Sequence, residues 1–260
     1  MKHFIKTVIK RTIFIVALSV FTMTLSAQES SEQAFEKAKK EITETFGTFP
    51  SFFDAFPKYA LPGAWQAYKE LQGPGSIDPK NRELIGLAVA SQIPCTYCVY
   101  FHTASAKAMG ATDEEIKEAV AHSAQVRHWS TVIYGAQADL EEVKDGTYDM
   151  FNSFPKYALS GARQAYNELE GPGSIDQKNR DLIGLAVASQ IPCTYCIGAH
   201  ANSLKEEGAT DEEIKEAVAY SAMVRHWSTV IHGAQIELED FKKEFDEMMK
   251  YMSEQAAKAH

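Results

Sequence analysis

Cysteine is scarce in this 260-residue chain, and none of it is spread about. The four cysteines fall in two short stretches, Cys95-Thr96-Tyr97-Cys98 and Cys193-Thr194-Tyr195-Cys196, which argues against a disulfide-stapled scaffold. Basic charge is also short: 26 Lys and Arg stand against 35 Asp and Glu, a formal charge of −9, which disfavours nucleic acid and anionic membranes as partners. No sustained alternation with a period of two appears, so strands are not expected. The loop Gly73-Pro74-Gly75-Ser76 lacks the Lys of a phosphate-binding loop and reads as a turn. Long apolar runs are missing as well. Ile13 to Leu25 falls short of the roughly 18 residues of a membrane-spanning helix.

That run follows Lys2, Lys6, Lys10 and Arg11 and precedes Ser26-Ala27, so residues 1–27 are expected to be a secretory signal, and the protein to be exported to a periplasmic or extracellular space. Cleavage there removes four basic residues and no acidic ones, taking the formal charge from −9 to −13. No stable membrane association is expected of the processed chain. In an oxidising compartment a Cys-x-x-Cys pair closes too small a loop to add much stability, so chemistry explains it better.

The second cysteine motif repeats the first at an offset of 98 residues, and residues 54–137 align with 152–235 without a gap, most positions being identical. A unit of this length is expected to be a globular domain rather than a solenoid repeat, and two of them are expected to pack as a pseudo-dimer. The fold class is all-α: a helix within residues 28–50, a first domain over 51–144, and a second over 145–260 that includes a C-terminal helical extension. Helices are expected from Phe56 to Leu71, after the N-cap Asp78, from Pro94 to Gly110, and after the Thr112–Glu115 capping box. Arg127-His128-Trp129 opens or continues a further helix. The final helix is expected to run on through Ile236 to Met252, and Ser31 to Phe46 to be amphipathic.

On a helix, Cys95, Cys98 and His102 share one face, as do Cys193, Cys196 and His200. Thiols in a first helical turn meet unpaired amides and the positive end of the dipole, which favours thiolate. Dithiol–disulfide chemistry with an imidazole for proton transfer is the leading reading. A zinc site and buried, inert cysteines are the alternatives.

Ile93-Pro94-Cys95-Thr96-Tyr97-Cys98 with His102, preceded by Arg82-Glu83-Leu84, resembles the carboxymuconolactone decarboxylase superfamily, and within it the alkylhydroperoxidase D branch. The resemblance covers almost all of each repeat. It implies that Cys98 and Cys196 attack peroxide, that Cys95 and Cys193 resolve, and that His102 and His200 relay protons with Glu83 and Asp181. Tyr97 and Tyr195 stand where some members carry a further histidine, so the relay is expected to have one link fewer. No cofactor and no metal are implied. The substrate would be hydrogen peroxide or an organic hydroperoxide, with an unnamed thiol or protein reductant, and family members suggest a homo-oligomer, a trimer of tandem chains being plausible. Rival activities are protein dithiol–disulfide exchange and non-catalytic binding of a metal or small molecule.

Two further expectations concern differences between the copies. Val99, Tyr100 and Phe101 become Ile197, Gly198 and Ala199, which should open the second site, and Asp181 is one methylene shorter than Glu83, which should loosen its relay. Arg127-His128-Trp129 and Arg225-His226-Trp227 read as packing segments. The unlike pairs His122/Tyr220 and His232/Tyr134 are assigned no chemistry.

Overall fold

A computed structural model describes residues 30–144 and 147–258. The expected signal segment lies outside the described residues. Within them every regular element is helical, and none is long and apolar enough to cross a membrane. The helices are α1 (30–46), α2 (Leu61–Gln72), α3 (Pro79–Gln92), α4 (Thr96–Ala108), α5 (Asp113–Gly135), α6 (Leu140–Lys144), α7 (Leu159–Glu170), α8 (Gln177–Gln190), α9 (Thr194–Glu206), α10 (Asp211–Gly233) and α11 (Leu238–Lys258). Short 3₁₀ turns lie at Ser51–Ala55 and Met150–Ser153.

The chain divides into two compact units. One comprises the described residues up to Ala67 and from Asp246 on, the other Tyr68–Phe245. In the first, α1 buries Phe35, Ala38, Ile42 and Phe46 on one stripe, as its spacing predicts. Phe46 and Phe53 both meet the edge of Trp65, whose indole N–H donates to Glu41 at 3.0 Å. Gly47, at φ 77°, ends α1, and the Tyr251 ring occupies the space a Cβ would need.

The second unit holds both cysteine motifs, with the first repeat from Tyr68 on and the whole of the second repeat's aligned segment. Its centre is α3 and α8, which are buried on every side from Arg82 to Ala90 and from Arg180 to Ala188. Helices buried all round need cover from several neighbours. They receive it across the repeats: α3 packs on α8, α10 on α3, and α5 on α8.

The caps follow the sequence. Asp78 and Asp176 accept from Asn81 N and Asn179 N, and Thr112/Glu115 and Thr210/Glu213 form complete capping boxes.

Three helix boundaries differ from expectation, at Phe56, at Pro94 and before the last helix. Nothing helical starts at Phe56, which is extended (φ −88°, ψ 140°) because it precedes Pro57. Arg127-His128-Trp129 continues a helix, one of the two arrangements expected, and lies within the 23-residue α5, Trp129 packing edge-on against Phe151, Phe154 and Tyr166. The last helix is not an extension of α10, since Gln235 at φ 55° breaks the chain before α11 begins.

Charged side chains join the repeats reciprocally. Glu216 on α10 accepts from Ser76 N (2.6 Å) and Ile77 N (3.1 Å), and its other oxygen lies 3.6 Å from Arg82 Nε. Glu118 on α5 does the same for Ser174 N (2.6 Å), Ile175 N (3.2 Å) and Arg180 Nε (3.8 Å). Gly75 and Gly173 leave room for these carboxylates, since a Cβ at either would strike them. The turn at Gly73–Ser76 is thus a seat for the opposite repeat's carboxylate. Each arginine also donates to the end of the preceding helix, Arg82 to Leu71 O and Gly73 O, Arg180 to Leu169 O and Gly171 O.

Candidate active site: two dithiol centres shared between the repeats

Pro94 does not begin α4. Cys95 is its N-cap, with Thr96 as the first helical residue, and the Cys95 sulfur accepts from Cys98 N at 3.3 Å. Cys193 caps α9 in the same way at 3.2 Å. In the first centre both cysteines are free, with the sulfurs 2.7 Å apart, while in the second Cys193 and Cys196 are joined as a disulfide. The helix therefore does not favour both thiols equally, as the spacing alone suggested. Hydrogen bonds from Cys98, Ser228, the Cys98 amide and His232 outweigh burial and bring Cys95 down to about 5, while the same shared proton and burial push Cys98 up. The two sulfurs therefore titrate as a coupled pair, with Cys95 the one favoured as thiolate.

The histidines and carboxylates to which the resemblance assigns a proton relay lie within hydrogen-bonding distance of one another. His102 Nδ1 lies 2.7 Å from Glu83 Oε2, and His200 Nδ1 lies 2.8 Å from Asp181 Oδ1. A Cβ on Gly86 would intrude on the His102 ring, and one on Gly184 on the His200 ring, so α3 and α8 carry glycine where the imidazoles lie against them. The shorter Asp181 does not loosen the contact. Its other oxygen accepts from Ser203 (2.7 Å) and Gln177 (3.0 Å). Burial alone would raise Asp181, but hydrogen bonds from His200, Ser203 and Gln177 hold it below the ordinary carboxylate range.

The second site is the more open one, as expected. The His200 side chain is 24% exposed against 7% for His102. Tyr100 and Phe101 pack on Phe245 of α11, Lys242 sits over the Tyr100 ring, and Phe241 meets Tyr97, so α11 roofs the first centre. The corresponding helix beside the second, α6, is only five residues long.

The Tyr97 and Tyr195 hydroxyls are engaged elsewhere, donating to Ile236 O and Ala138 O. The residues missed by sequence reasoning come from the opposite repeat. Tyr220 on α10 donates to Glu83 Oε1 at 2.8 Å, and Ser228 and His232 on the same helix bond to Cys95. His232 also stands edge-on to Tyr97. Its counterpart Tyr134 lies edge-on to Tyr195, donates to Pro192 O at 3.0 Å and accepts from Thr194 N at 3.2 Å. His122, the counterpart of Tyr220, is buried and pushed down to about 4 by that burial and by the nearby charges of Arg180 and His200. The one available signal was the opposed His/Tyr exchange at two positions of nearly identical repeats. Among the described residues, no group of three or more His, Cys, Asp or Glu could hold a metal ion.

The fold and site thus define a class: an all-helical protein with two helix-capping dithiol motifs, each backed by a buried carboxylate–imidazole pair. The sequence profile of the carboxymuconolactone decarboxylase family matches residues 57–140 and 158–236, and the chain belongs to that family. Among similar proteins is an alkyl hydroperoxide reductase AhpD of Coxiella burnetii (strain Dugway 5J108-111), 25% identical over 174 residues, covering 67% of this chain and 91% of that protein. Another AhpD, from Bradyrhizobium sp. (strain BTAi1), is 33% identical over 81 residues, 31% of this chain and 44% of its own length. The uncharacterized protein 4 in the cox locus of Paracoccus denitrificans is 37% identical over 61 residues, 24% of this chain and 55% of its own. In these last two the match spans about half of the relative's length. A solved structure described as a gamma-carboxymuconolactone decarboxylase subunit, from Burkholderia xenovorans LB400, shares the fold at TM-score 0.54 and 16% identity, over 86% of this chain and 98% of that one.

Proposed function

We propose that this protein is a thiol-dependent peroxidase acting on hydrogen peroxide or an organic hydroperoxide at two dithiol centres. The observation that carries the reading is the buried Glu83–His102 bond at 2.7 Å, with His102 on the helix capped by Cys95 and bearing Cys98, a geometry repeated by Asp181 and His200. The AhpD relatives supply the reaction class.

Attack falls to Cys98, the less buried of the pair at 5% against 0% for Cys95. Attack by Cys98 uses the form in which the shared proton has moved to Cys95. The Cys98 thiolate takes the distal oxygen of R–O–OH, the O–O bond breaks, and the alkoxide leaves as ROH on receiving a proton that His102 passes to it from solvent. Cys98 is then sulfenic acid. The Cys95 sulfur displaces its hydroxyl, giving the Cys95–Cys98 disulfide and water, and an external dithiol returns two electrons. Cys196, Cys193, His200 and Asp181 fill the same roles at the second centre. The basic and apolar opening residues favour export, which makes the reductant an extracytoplasmic thiol or dithiol protein.

Protein dithiol–disulfide exchange is the second reading, favoured by the low-lying Cys95 at a helix N-cap. The complete burial of Cys95 weighs against it. Stopped-flow mixing of fully reduced protein with peroxide decides: the proposal requires loss of two thiols per centre per peroxide consumed, abolished in Cys98→Ser/Cys196→Ser. Peroxide left unconsumed while a reduced test protein is oxidised would favour the second reading.

A further inference from the structure

We infer that the first dithiol centre depends on the second repeat for its proton relay, with Tyr220 as the positioning residue, whereas the second centre is anchored by its own repeat. The inference deepens the proposed function and rests on that reading for its catalytic meaning.

The first relay is a directed chain of hydrogen bonds. Gln72 Nε2 donates to the Tyr220 hydroxyl at 3.0 Å, which turns the hydroxyl proton towards Glu83. Tyr220 donates to Glu83 Oε1 at 2.8 Å, leaving Oε2 to face His102 Nδ1 at 2.7 Å. With both oxygens committed, the carboxylate cannot rotate, and the His102 ring is held through Nδ1, which leaves Nε2 as the ring nitrogen open to proton transfer. Tyr220 is wholly buried, as Glu83 nearly is, so no solvent stands in for a lost partner. Other groups facing Glu83 are His102 from α4 and Tyr68 from α2, while neighbouring Arg82 is turned to Leu71 O and Gly73 O.

The second repeat replaces every member of this chain. Where the first centre has Gln72, Tyr220 and Glu83, the second has Glu170, His122 and Asp181. Glu170 is held instead by Gln125, and the outer oxygen of Asp181 by Gln177 and Ser203. The three differences belong together: a phenol needs the longer carboxylate to reach and the amide to orient it, and without the phenol the shorter carboxylate is anchored locally.

The test is peptide-resolved alkylation of Cys98 and Cys196 by iodoacetamide in the fully reduced protein across pH. Alkylation needs no peroxide, so its outcome is separate from that of the peroxidase reading. In Tyr220→Phe, Cys98 should react about tenfold more slowly at neutral pH, its profile displaced to higher pH, with Cys196 unchanged and the melting temperature lowered by loss of the buried hydrogen bond. Should Tyr220→Phe fail to fold, Gln72→Leu should show the same change at Cys98 with smaller amplitude. As a gain of function, Asp181→Glu alone should slow Cys196, and adding His122→Tyr and Glu170→Gln should restore it. Unchanged Cys98 reactivity in folded Tyr220→Phe, or in Gln72→Leu, overturns the inference. So does equal slowing at both cysteines.

Discussion

At the scale of single residues, a hydrogen bond decides what burial would otherwise decide the other way. Burial raises thiols and carboxylates, yet Cys95 and Asp181 both lie below their ordinary values because several donors converge on each. With the second centre removed by Cys193→Ser/Cys196→Ser, absorbance at 240 nm should show one thiolate forming near about 5. A single transition near the ordinary value of 9.0 would rule this out. The linkage has a definite sign. Cys95 is lowered in the folded state, so its stabilisation of the reduced protein is present above the ordinary value and lost as pH falls through about 5. Cys95→Ala should therefore flatten the rise of melting temperature with pH over that range. Glycine acts at the same scale through space alone. Gly86→Ala puts a methyl group into the His102 ring, and should leave the protein folded but slow alkylation at Cys98 about tenfold or more, with Cys196 as the internal control. Gly184→Ala should do the reverse.

At the scale of elements, nearly identical helices behave differently because their neighbours differ. The first centre is roofed by Phe241 and Phe245 of α11, while α6 stops after five residues beside the second. Phe245 is buried at 2% exposure, and Phe245→Ala should cost about 3 kcal/mol in urea unfolding while opening the first centre. A bulky hydroperoxide such as cumene hydroperoxide should then oxidise Cys98 and Cys196 at comparable rates, whereas in the unmodified protein Cys196 should lead. If Cys98 is already the faster with the bulky peroxide, the roof does not control access. The helix caps at this scale were readable in advance. Asp78, Thr112 and Glu115 carry their signal within four residues, and the backbone obeys it. Helix lengths were less readable: Pro57 shortened one element and Gln235 divided another, and neither effect shows in apolar periodicity.

At the scale of the molecule, the two repeats are bound by reciprocal carboxylates in addition to the interleaved α3, α5, α8 and α10. Glu216 and Glu118 each satisfy two loop amides of the opposite repeat and stand against a buried arginine. Glu216→Ala leaves Arg82 Nε and those amides without this acceptor, and should cost about 3–5 kcal/mol, against less than about 1 kcal/mol for exposed Glu114→Ala, whose ion pair with Lys117 lies on the surface. Chemical unfolding of the three proteins measures this directly. Equal losses would mean that the reciprocal seats hold nothing together.

The sequence alone determined the helical class, the duplication, the caps and the local group of Cys95, Cys98 and His102, because each depends on residues close together in the chain or on a repeat visible by self-comparison. Glu83 and Asp181 were singled out by family resemblance, and in the structure each hydrogen-bonds the histidine of its own repeat. Tyr220, Ser228 and His232 could not be assigned to the first centre that way. They lie more than a hundred residues from Cys95, and nothing local distinguishes a helix that serves its own repeat from one that crosses to the other. Tertiary structure decided that crossing, because α3 and α8 are buried all round and can be covered only if each repeat lends a long helix to its neighbour.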